Sequence, residues 1–215
     1  MDEVQIGAKH FTKGRAGFTP EYICIHIMDG SLVGTDNWFQ NDQCQASAHV
    51  GIGNDGEIHR YIQNSDSAWA CGITTIQGAT FKGFKFTKEN YIISPNLFTL
   101  NIEHEGTPAN EITDECYATS SQLIADWCNQ YSIPCDADHI VTHSSIYPLH
   151  GCPGNAINMD KLIGMAQGKA QPKKIKKKKL LMYCPQCGGE GSNKNLSGDK
   201  KTCDNCKGEG KFYYQ

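Results

Sequence analysis

Residues 139–154, HIVTHSSIYPLHGCPG, decide how the rest of the sequence is interpreted. An apolar pair near the start predicts a short strand that ends at His143. The Ser-, Pro- and Gly-rich residues after it predict an irregular loop rather than a helix, and this loop also carries His150 and Cys152. Zinc prefers His and Cys ligands, and a catalytic zinc commonly has three protein ligands and one open position. Because one loop cannot complete such a site, an ordinary surface loop explains these residues equally well on their own.

A third ligand candidate is His26, which stands in the run YICIHIM at residues 22–28. The β-branched, apolar composition of this run predicts a buried strand. A charged imidazole is costly to bury, whereas a neutral imidazole that binds a metal or a hydrogen-bond partner is not. A lone histidine in a strand is more often a core residue, but the second cluster in residues 139–154 favours the metal site.

Six stretches of the chain, taken together, resemble the type 2 N-acetylmuramoyl-L-alanine amidases. These are zinc enzymes that include many phage endolysins and are related to the peptidoglycan recognition proteins. The stretches follow the family order and cover roughly the first three-quarters of the chain. They are FTKGR at 11–15, ICIH at 23–26, SAHVGIGNDG at 47–56, AWACG at 68–72, NIEHEG at 101–106 and HSSIYPLHGCPG at 143–154.

The resemblance implies a role for each of five residues. His26, His143 and Cys152 would hold a catalytic zinc, which lowers the pKa of its water and polarises the scissile carbonyl. Glu103 would act as the general base. His150 stands where close relatives have a lysine and would donate a hydrogen bond to the oxyanion. The bond cut would be the amide between the lactyl group of N-acetylmuramic acid and L-alanine of the stem peptide.

The choice of Glu103 leaves one alternative open. Residues 96–105 predict a strand whose alternation puts Thr99, Asn101 and Glu103 on one face. An acidic residue at the end of a buried strand is costly unless it is paired or functional. Glu105 lies two residues later, nominally on the same face, and is the rival candidate.

Two further residues are predicted near the substrate. His49 lies in a hairpin predicted over residues 47–53 and 57–62, around the turn sequence NDG. It would contact the substrate or support a residue that does. Some relatives have a catalytic tyrosine just before this histidine, where this chain has Ala48. The resemblance implies that Trp69 forms a wall of the binding cleft, where an indole can stack on a sugar or peptide face, with a partly buried core tryptophan as the alternative.

The fold expected for residues 1–168 is α/β: a mixed central sheet flanked by helices, as in the amidases and peptidoglycan recognition proteins. Residues 113–131 predict the clearest helix, with Thr113 as N-cap and acidic residues in its first turn. Residues 158–167 predict a shorter closing helix.

The C-terminal region predicts a separate module. Residues 169–182 are Lys-rich and predict a linker, and residues 183–215 predict a zinc ribbon. Four cysteines in the spacing C-x2-C-x15-C-x2-C would close a tetrahedron around a structural zinc: Cys184, Cys187, Cys203 and Cys206. Their repeated CxxCxGxG motif resembles the zinc motif of DnaJ chaperones, which occurs there four times and here twice. The expected cofactors are therefore one catalytic and one structural zinc.

The uneven distribution of charge along the chain indicates candidate binding partners. Residues 1–168 carry a net charge of −11 and residues 169–215 a net charge of +8. This asymmetry suggests an anionic cell-wall polymer as a partner of the tail, beside peptidoglycan as the substrate. No membrane span, no secretory signal and no nucleic-acid partner are expected. We therefore expect a phage endolysin, made in the host cytoplasm and acting on the cell wall after release. The alternatives are a non-catalytic peptidoglycan-binding module and an adaptor that acts through the tail.

Overall fold

A computed structural model describes residues 1–72, 81–88 and 91–168, together with four short strands in the C-terminal region. Contacts divide the chain into two compact units, residues 1–15 with 19–173 and residues 16–18 with 174–215. The four predicted ribbon cysteines, Cys184, Cys187, Cys203 and Cys206, and most of the predicted linker lie outside the described residues. Among the described residues, no helix is both long and apolar enough to span a membrane.

The first unit contains ten strands, four α-helices and one 3-10 helix within its described residues. The strands are β1 Val4–Gln5, β2 Phe11–Thr12, β3 Tyr22–Ile27, β4 Val50–Ile52, β5 Ile58–Arg60, β6 Ser67–Ala68, β7 Lys85–Phe86, β8 Ile92–Ile93, β9 Thr99–His104 and β10 Ile140–Thr142. The helices are α1 Leu32–Phe39, α2 Asp114–Tyr131, α3 His143–Ile146, α4 Met159–Gln167 and the 3-10 helix Pro95–Leu97.

Six of these strands form one mixed sheet in the order β1-β5-β4-β9-β3-β10. Strands β4, β9, β3 and β10 run parallel, while β4 and β5 pair antiparallel as the predicted hairpin. The expected mixed α/β architecture is therefore confirmed. In the register of the central pair, His26 of β3 lies opposite Glu103 of β9.

The two faces of the sheet have different roles. One face carries the apolar side chains of β3, β4 and β9, and it packs against α2 and α4 in the main core. Burying each isoleucine or leucine of this face contributes about 1.5–3 kcal/mol. Alternation directs Cys24, His26, Asn101 and Glu103 to the opposite face. The core thus fixes which face carries the polar residues.

Several element bounds differ from the sequence prediction. Pro95–Leu97 forms a 3-10 helix, so β9 begins only at Thr99. Helix α1 was not predicted, because Gly34, Asp36 and other weak helix formers fill it. The expectation of a loop with no helix after β10 is wrong: α3 forms there because the Thr142 side chain accepts a hydrogen bond from the Ser145 amide.

The described residues of the C-terminal unit form two antiparallel strand pairs. Strand β11, Leu180–Tyr183, pairs with β14, Lys211–Tyr214. Strand β12, Ser192–Lys194, pairs with β13, Lys200–Thr202. The shorter pair lies between the strands of the longer pair in the sequence. The predicted boundaries at residues 168 and 182 stay predictions.

Thr113 caps α2 by accepting a hydrogen bond from the Cys116 amide at 3.1 Å. Thr113→Ala should lower the free energy of unfolding by about 1 kcal/mol, because the amide loses its partner. Thr113→Ser keeps the hydroxyl oxygen and should stay close to wild type. Chemical denaturation followed by circular dichroism measures both variants. Equal losses in the two would contradict the capping role.

Candidate metal centre

Three ligand atoms, one each from His26, His143 and Cys152, lie within 4.8 Å of one another, and all three residues are buried. His26 belongs to β3, and His143 follows directly after the adjacent parallel strand β10. Parallel strands bring their carboxyl ends to the same edge of a sheet. The loop then returns to that edge, where the carbonyl of Cys152 accepts a hydrogen bond from the Ser144 amide at 2.8 Å.

Each ligand candidate has a second partner that orients it. Nε2 of His26 lies 3.1 Å from Oδ1 of Asn101, and Nε2 of His143 lies 3.3 Å from the carbonyl oxygen of Cys71. The Cys71 carbonyl can only accept, so Nε2 of His143 carries the proton and Nδ1 of the same ring keeps its lone pair. The Cys152 sulfur accepts the Ile27 amide at 3.3 Å. Two imidazoles and one thiol, held in this way, fit a zinc site with one open position.

The pKa values indicate an uncharged set of groups in the protein without metal. Burial lowers the pKa of His26 well below its usual value, and His143 lowers it further. Burial and the nearby His150 lower the pKa of His143 to about 4. Burial and Glu103 raise the pKa of the Cys152 thiol to about 12. A metal ion would therefore have to displace the thiol proton on binding.

The two rival glutamates have different surroundings. Oε1 and Oε2 of Glu105 accept hydrogen bonds from the amides of Leu32, at 3.1 Å, and Asn54, at 2.8 Å. Glu105 thus joins the start of α1 to the β4–β5 turn. Oε2 of Glu103 is buried and has no hydrogen-bond partner among the described residues. Burial raises the pKa of Glu103 to about 8. A buried carboxyl oxygen without a partner, beside a ligand cluster, is typical of a functional acid or base.

His150 is exposed and lies beside the cluster without belonging to it. Its ring stacks on that of His143, with centroids 4.4 Å apart and planes inclined at 21°. Its amide donates to the Tyr147 carbonyl at 2.9 Å. This position puts an imidazole at the solvent side of the ligand set.

His49 is fully buried. Its Nδ1 accepts the Asn101 amide at 3.0 Å, so Nε2 carries the proton and faces the Asp66 carbonyl at 3.2 Å. The buried Arg15 lies 2.8 Å from the same Nε2 but cannot donate to a nitrogen that carries a proton, and it donates to the carbonyl of Thr99 at 3.1 Å. These contacts favour the supporting role that the sequence left open for His49 over a direct substrate contact.

Trp69 is 36% exposed at the protein surface. Its Nε1 donates to Oγ1 of Thr12 at 2.9 Å, and its ring lies 5.7 Å from that of His10. Trp69 lies two residues before Cys71 in the sequence, and the backbone carbonyl of Cys71 faces His143. An accessible indole in this place is compatible with the predicted cleft wall, which stays a prediction.

Two contributors to the site were missed by the sequence analysis. Asn101 holds His26, and a polar residue inside a buried strand was a usable signal for it. Cys71 contributes its backbone carbonyl to His143, and no residue type signals a carbonyl contact.

The raised pKa of Glu103 predicts how stability depends on pH in metal-free protein. The carboxyl has a pKa of about 8 when folded and 4.5 in its reference state. Between these values the folded chain holds a proton that the unfolded chain releases, so stability falls as pH rises. Relative to Glu103→Gln, wild type should lose at most about 1.4 kcal/mol per pH unit in this window. Denaturant unfolding in the presence of a chelator, at steps of one pH unit, measures the free energy of unfolding of both proteins. If the two plots of this free energy against pH were parallel, the raised pKa of Glu103 would be contradicted.

The chain resembles two named amidases in sequence. N-acetylmuramoyl-L-alanine amidase A of Achromobacter lyticus is 26% identical over 141 residues, covering 60% of this chain and 68% of that protein. The 1,6-anhydro-N-acetylmuramyl-L-alanine amidase AmpD of Salmonella typhimurium is 33% identical over 108 residues. That match covers 48% of this chain and about half, 48%, of that relative.

Solved structures show the same fold. A crystal structure of an AmpD derivative superposes with a TM-score of 0.62 at 20% identity, covering 76% of this chain and 93% of that one. A mutant endolysin from Bacillus subtilis gives a TM-score of 0.53 at 16% identity, covering 79% and 99%. The family model described as N-acetylmuramoyl-L-alanine amidase matches residues 16–155, which is more than half of the sequence. The chain therefore belongs to the Amidase_2 family of N-acetylmuramoyl-L-alanine amidases.

Proposed function

We propose that this chain uses zinc to hydrolyse the amide bond between N-acetylmuramic acid and L-alanine of the peptidoglycan stem peptide. The observation that carries the proposal is the pairing of two features at one sheet edge. His26, His143 and Cys152 offer three buried ligand atoms within 4.8 Å, and Glu103 in the strand beside His26 has a buried oxygen without a partner. A zinc ion held there would acidify a water and polarise the scissile carbonyl.

Glu103 is the proposed general base. Because its surroundings raise its pKa toward neutrality, it can both accept and release a proton near neutral pH. It removes a proton from the attacking water and delivers one to the departing amine of L-alanine. Glu105 is not suited to this role because both of its oxygens accept backbone amides.

His150 is the proposed donor to the oxyanion that forms on the scissile carbonyl. Its exposed ring at the solvent side of His143 can meet a substrate that enters from the surface. A neutral imidazole donates through one N–H, and its protonated form adds a positive charge. Trp69 is proposed to contact a sugar or peptide face of the substrate.

The tail is proposed to retain the enzyme at the cell wall. The +8 charge of residues 169–215 favours an anionic wall polymer as its partner, and its four cysteines suit a structural zinc. A catalytic region joined to such a module fits an endolysin that acts on the wall after release from an infected cell. The alternative, a non-catalytic binding module, explains neither the full set of three ligands nor the buried oxygen of Glu103.

Glu103→Gln should lower turnover by about 10²–10⁴-fold while zinc content stays unchanged, because a neutral amide cannot take the proton. Glu105→Gln is the matched control and should keep turnover near wild type, with a loss of stability of about 1.5–3 kcal/mol from weakened charged hydrogen bonds. The measurement is the release of L-alanine amino termini from purified peptidoglycan and from soluble muropeptides. An inactive Glu105→Gln beside an active Glu103→Gln would refute the assignment.

Elemental analysis should find about two zinc ions per chain, as the ligand count requires. Cys152→Ala should remove one, and Cys184→Ser combined with Cys187→Ser should remove the other. His150→Ala should keep both and lower turnover by about 10²–10³-fold, as for loss of an oxyanion donor. Zinc loss in His150→Ala with retention in Cys152→Ala would show that the two roles are exchanged.

A further inference from the structure

A chain of buried hydrogen bonds leads away from His26 to the backbone of the neighbouring strand. Nε2 of His26 lies 3.1 Å from Oδ1 of Asn101, whose Nδ2 lies 3.2 Å from Oγ1 of Thr99. Oγ1 of Thr99 lies 3.0 Å from the carbonyl oxygen of Pro95. Asn101 and Thr99 are fully buried.

The direction of every bond in this chain follows from its last member. A backbone carbonyl only accepts, so the Thr99 hydroxyl donates its single proton to Pro95. The Thr99 oxygen must then accept from Asn101, which requires the amide NH2 group on that side. The amide oxygen therefore faces His26 and accepts the proton on Nε2. Nδ1 of His26 is left with its lone pair.

We propose that Asn101 and Thr99 are positioning residues that fix the tautomer of His26, so that Nδ1 is the ligand atom of the metal site. This inference rests on the proposed zinc-dependent function and extends it from the ligands to the groups behind them. Neither residue belongs to the cluster of three ligand candidates. Both act through the orientation of one imidazole.

The backbone around Asn101 holds its side chain in place. The backbone N–H of Asn101 donates to Nδ1 of His49 at 3.0 Å, and the backbone N–H of His49 donates to the backbone carbonyl of Asn101 at 3.1 Å. Asn101 is also the register partner of Cys24 in β3. A flipped Asn101 side-chain amide would put its oxygen against the Thr99 oxygen, whose only proton is donated to Pro95, and its NH2 group against Nε2 of His26. The contact between the two oxygens is unfavourable in a buried site, so the orientation with the NH2 group toward Thr99 is favoured.

The first test reads the tautomer directly in metal-free wild type. Two-bond proton–nitrogen correlation spectra distinguish a protonated from an unprotonated ring nitrogen. The expected result is a neutral His26 with its proton on Nε2. A proton on Nδ1, or an even mixture of tautomers, would overturn the proposal. This measurement needs neither activity nor bound zinc, so it stands even if the chain proves not to be a zinc amidase.

The second test compares zinc affinity by competition with a chelator. Asn101→Leu should weaken zinc binding by about 10–100-fold, because His26 loses its acceptor. Asn101→Asp should restore part of the affinity, since it again offers an oxygen to Nε2 of His26, while its second oxygen finds no donor as long as the Thr99 hydroxyl donates to Pro95. Equal affinities of the Leu variant and wild type would refute the role of Asn101.

Thr99 is tested with the same assays. Thr99→Val removes the acceptor that orients the amide and should give mixed tautomers with weakened zinc binding, while Thr99→Ser should behave as wild type. Ile102→Val, on the core face of β9, is the control for a general loss of packing and should leave the tautomer and zinc affinity unchanged. If Ile102→Val changes them as much as Thr99→Val, the effect is merely structural. If the His26 tautomers of the variants are as expected but neither wild type nor any variant binds zinc, the positioning role of Asn101 and Thr99 stands and the proposed zinc-dependent function fails.

Discussion

The parallel pairing of β9, β3 and β10 is the constraint on which the candidate site depends. In this register Glu103 lies opposite His26, and His143 begins immediately after β10. A shift of one residue in β3 would turn His26 toward the helices and bring an isoleucine to the site. The apolar face of the sheet prevents this, because Ile23, Ile25 and their neighbours in β9 must stay against α2 and α4. The core on one face therefore fixes the positions of the ligands on the other.

The polar face of the sheet is buried as well, so its groups need partners. His26, His49 and Asn101 satisfy one another and the neighbouring backbone through directed hydrogen bonds. His104, on the other face, bonds the His26 carbonyl and the Ser120 hydroxyl, both at 2.8 Å. Against this background the unsatisfied oxygen of Glu103 is the exception among the described residues. A polar group left without a partner in an otherwise satisfied region is where proton transfer can occur, because no internal bond has to be broken first.

The sequence predicted those parts of the molecule that residue type and periodicity encode. The β-branched run around His26, the cap at Thr113 and the turn between β4 and β5 each have a local physical cause, and each was found. Helix α1 was missed because weak helix formers fill it and because part of its stability comes from Glu105, a residue distant in the sequence that accepts the Leu32 amide. The same limit applies to the site. The types of the ligand residues can be read from the sequence. The backbone carbonyl of Cys71 and the side-chain amide of Asn101 become partners of His143 and His26 only once the strands are paired.

Burial couples the protonation states of the site to the metal. In the metal-free protein the low dielectric favours neutral imidazoles, a neutral Cys152 thiol and a protonated Glu103 at neutral pH. A divalent cation reverses this balance, because its charge stabilises the thiolate and the carboxylate that burial disfavours. The imidazoles need no such change, since their pKa values already lie below neutrality and their Nε2 protons are held by oxygens. The histidines thus form the preorganised part of the site, while Cys152 and Glu103 respond to the metal. The same burial that destabilises the charged groups without metal strengthens their attraction to the cation once it is bound.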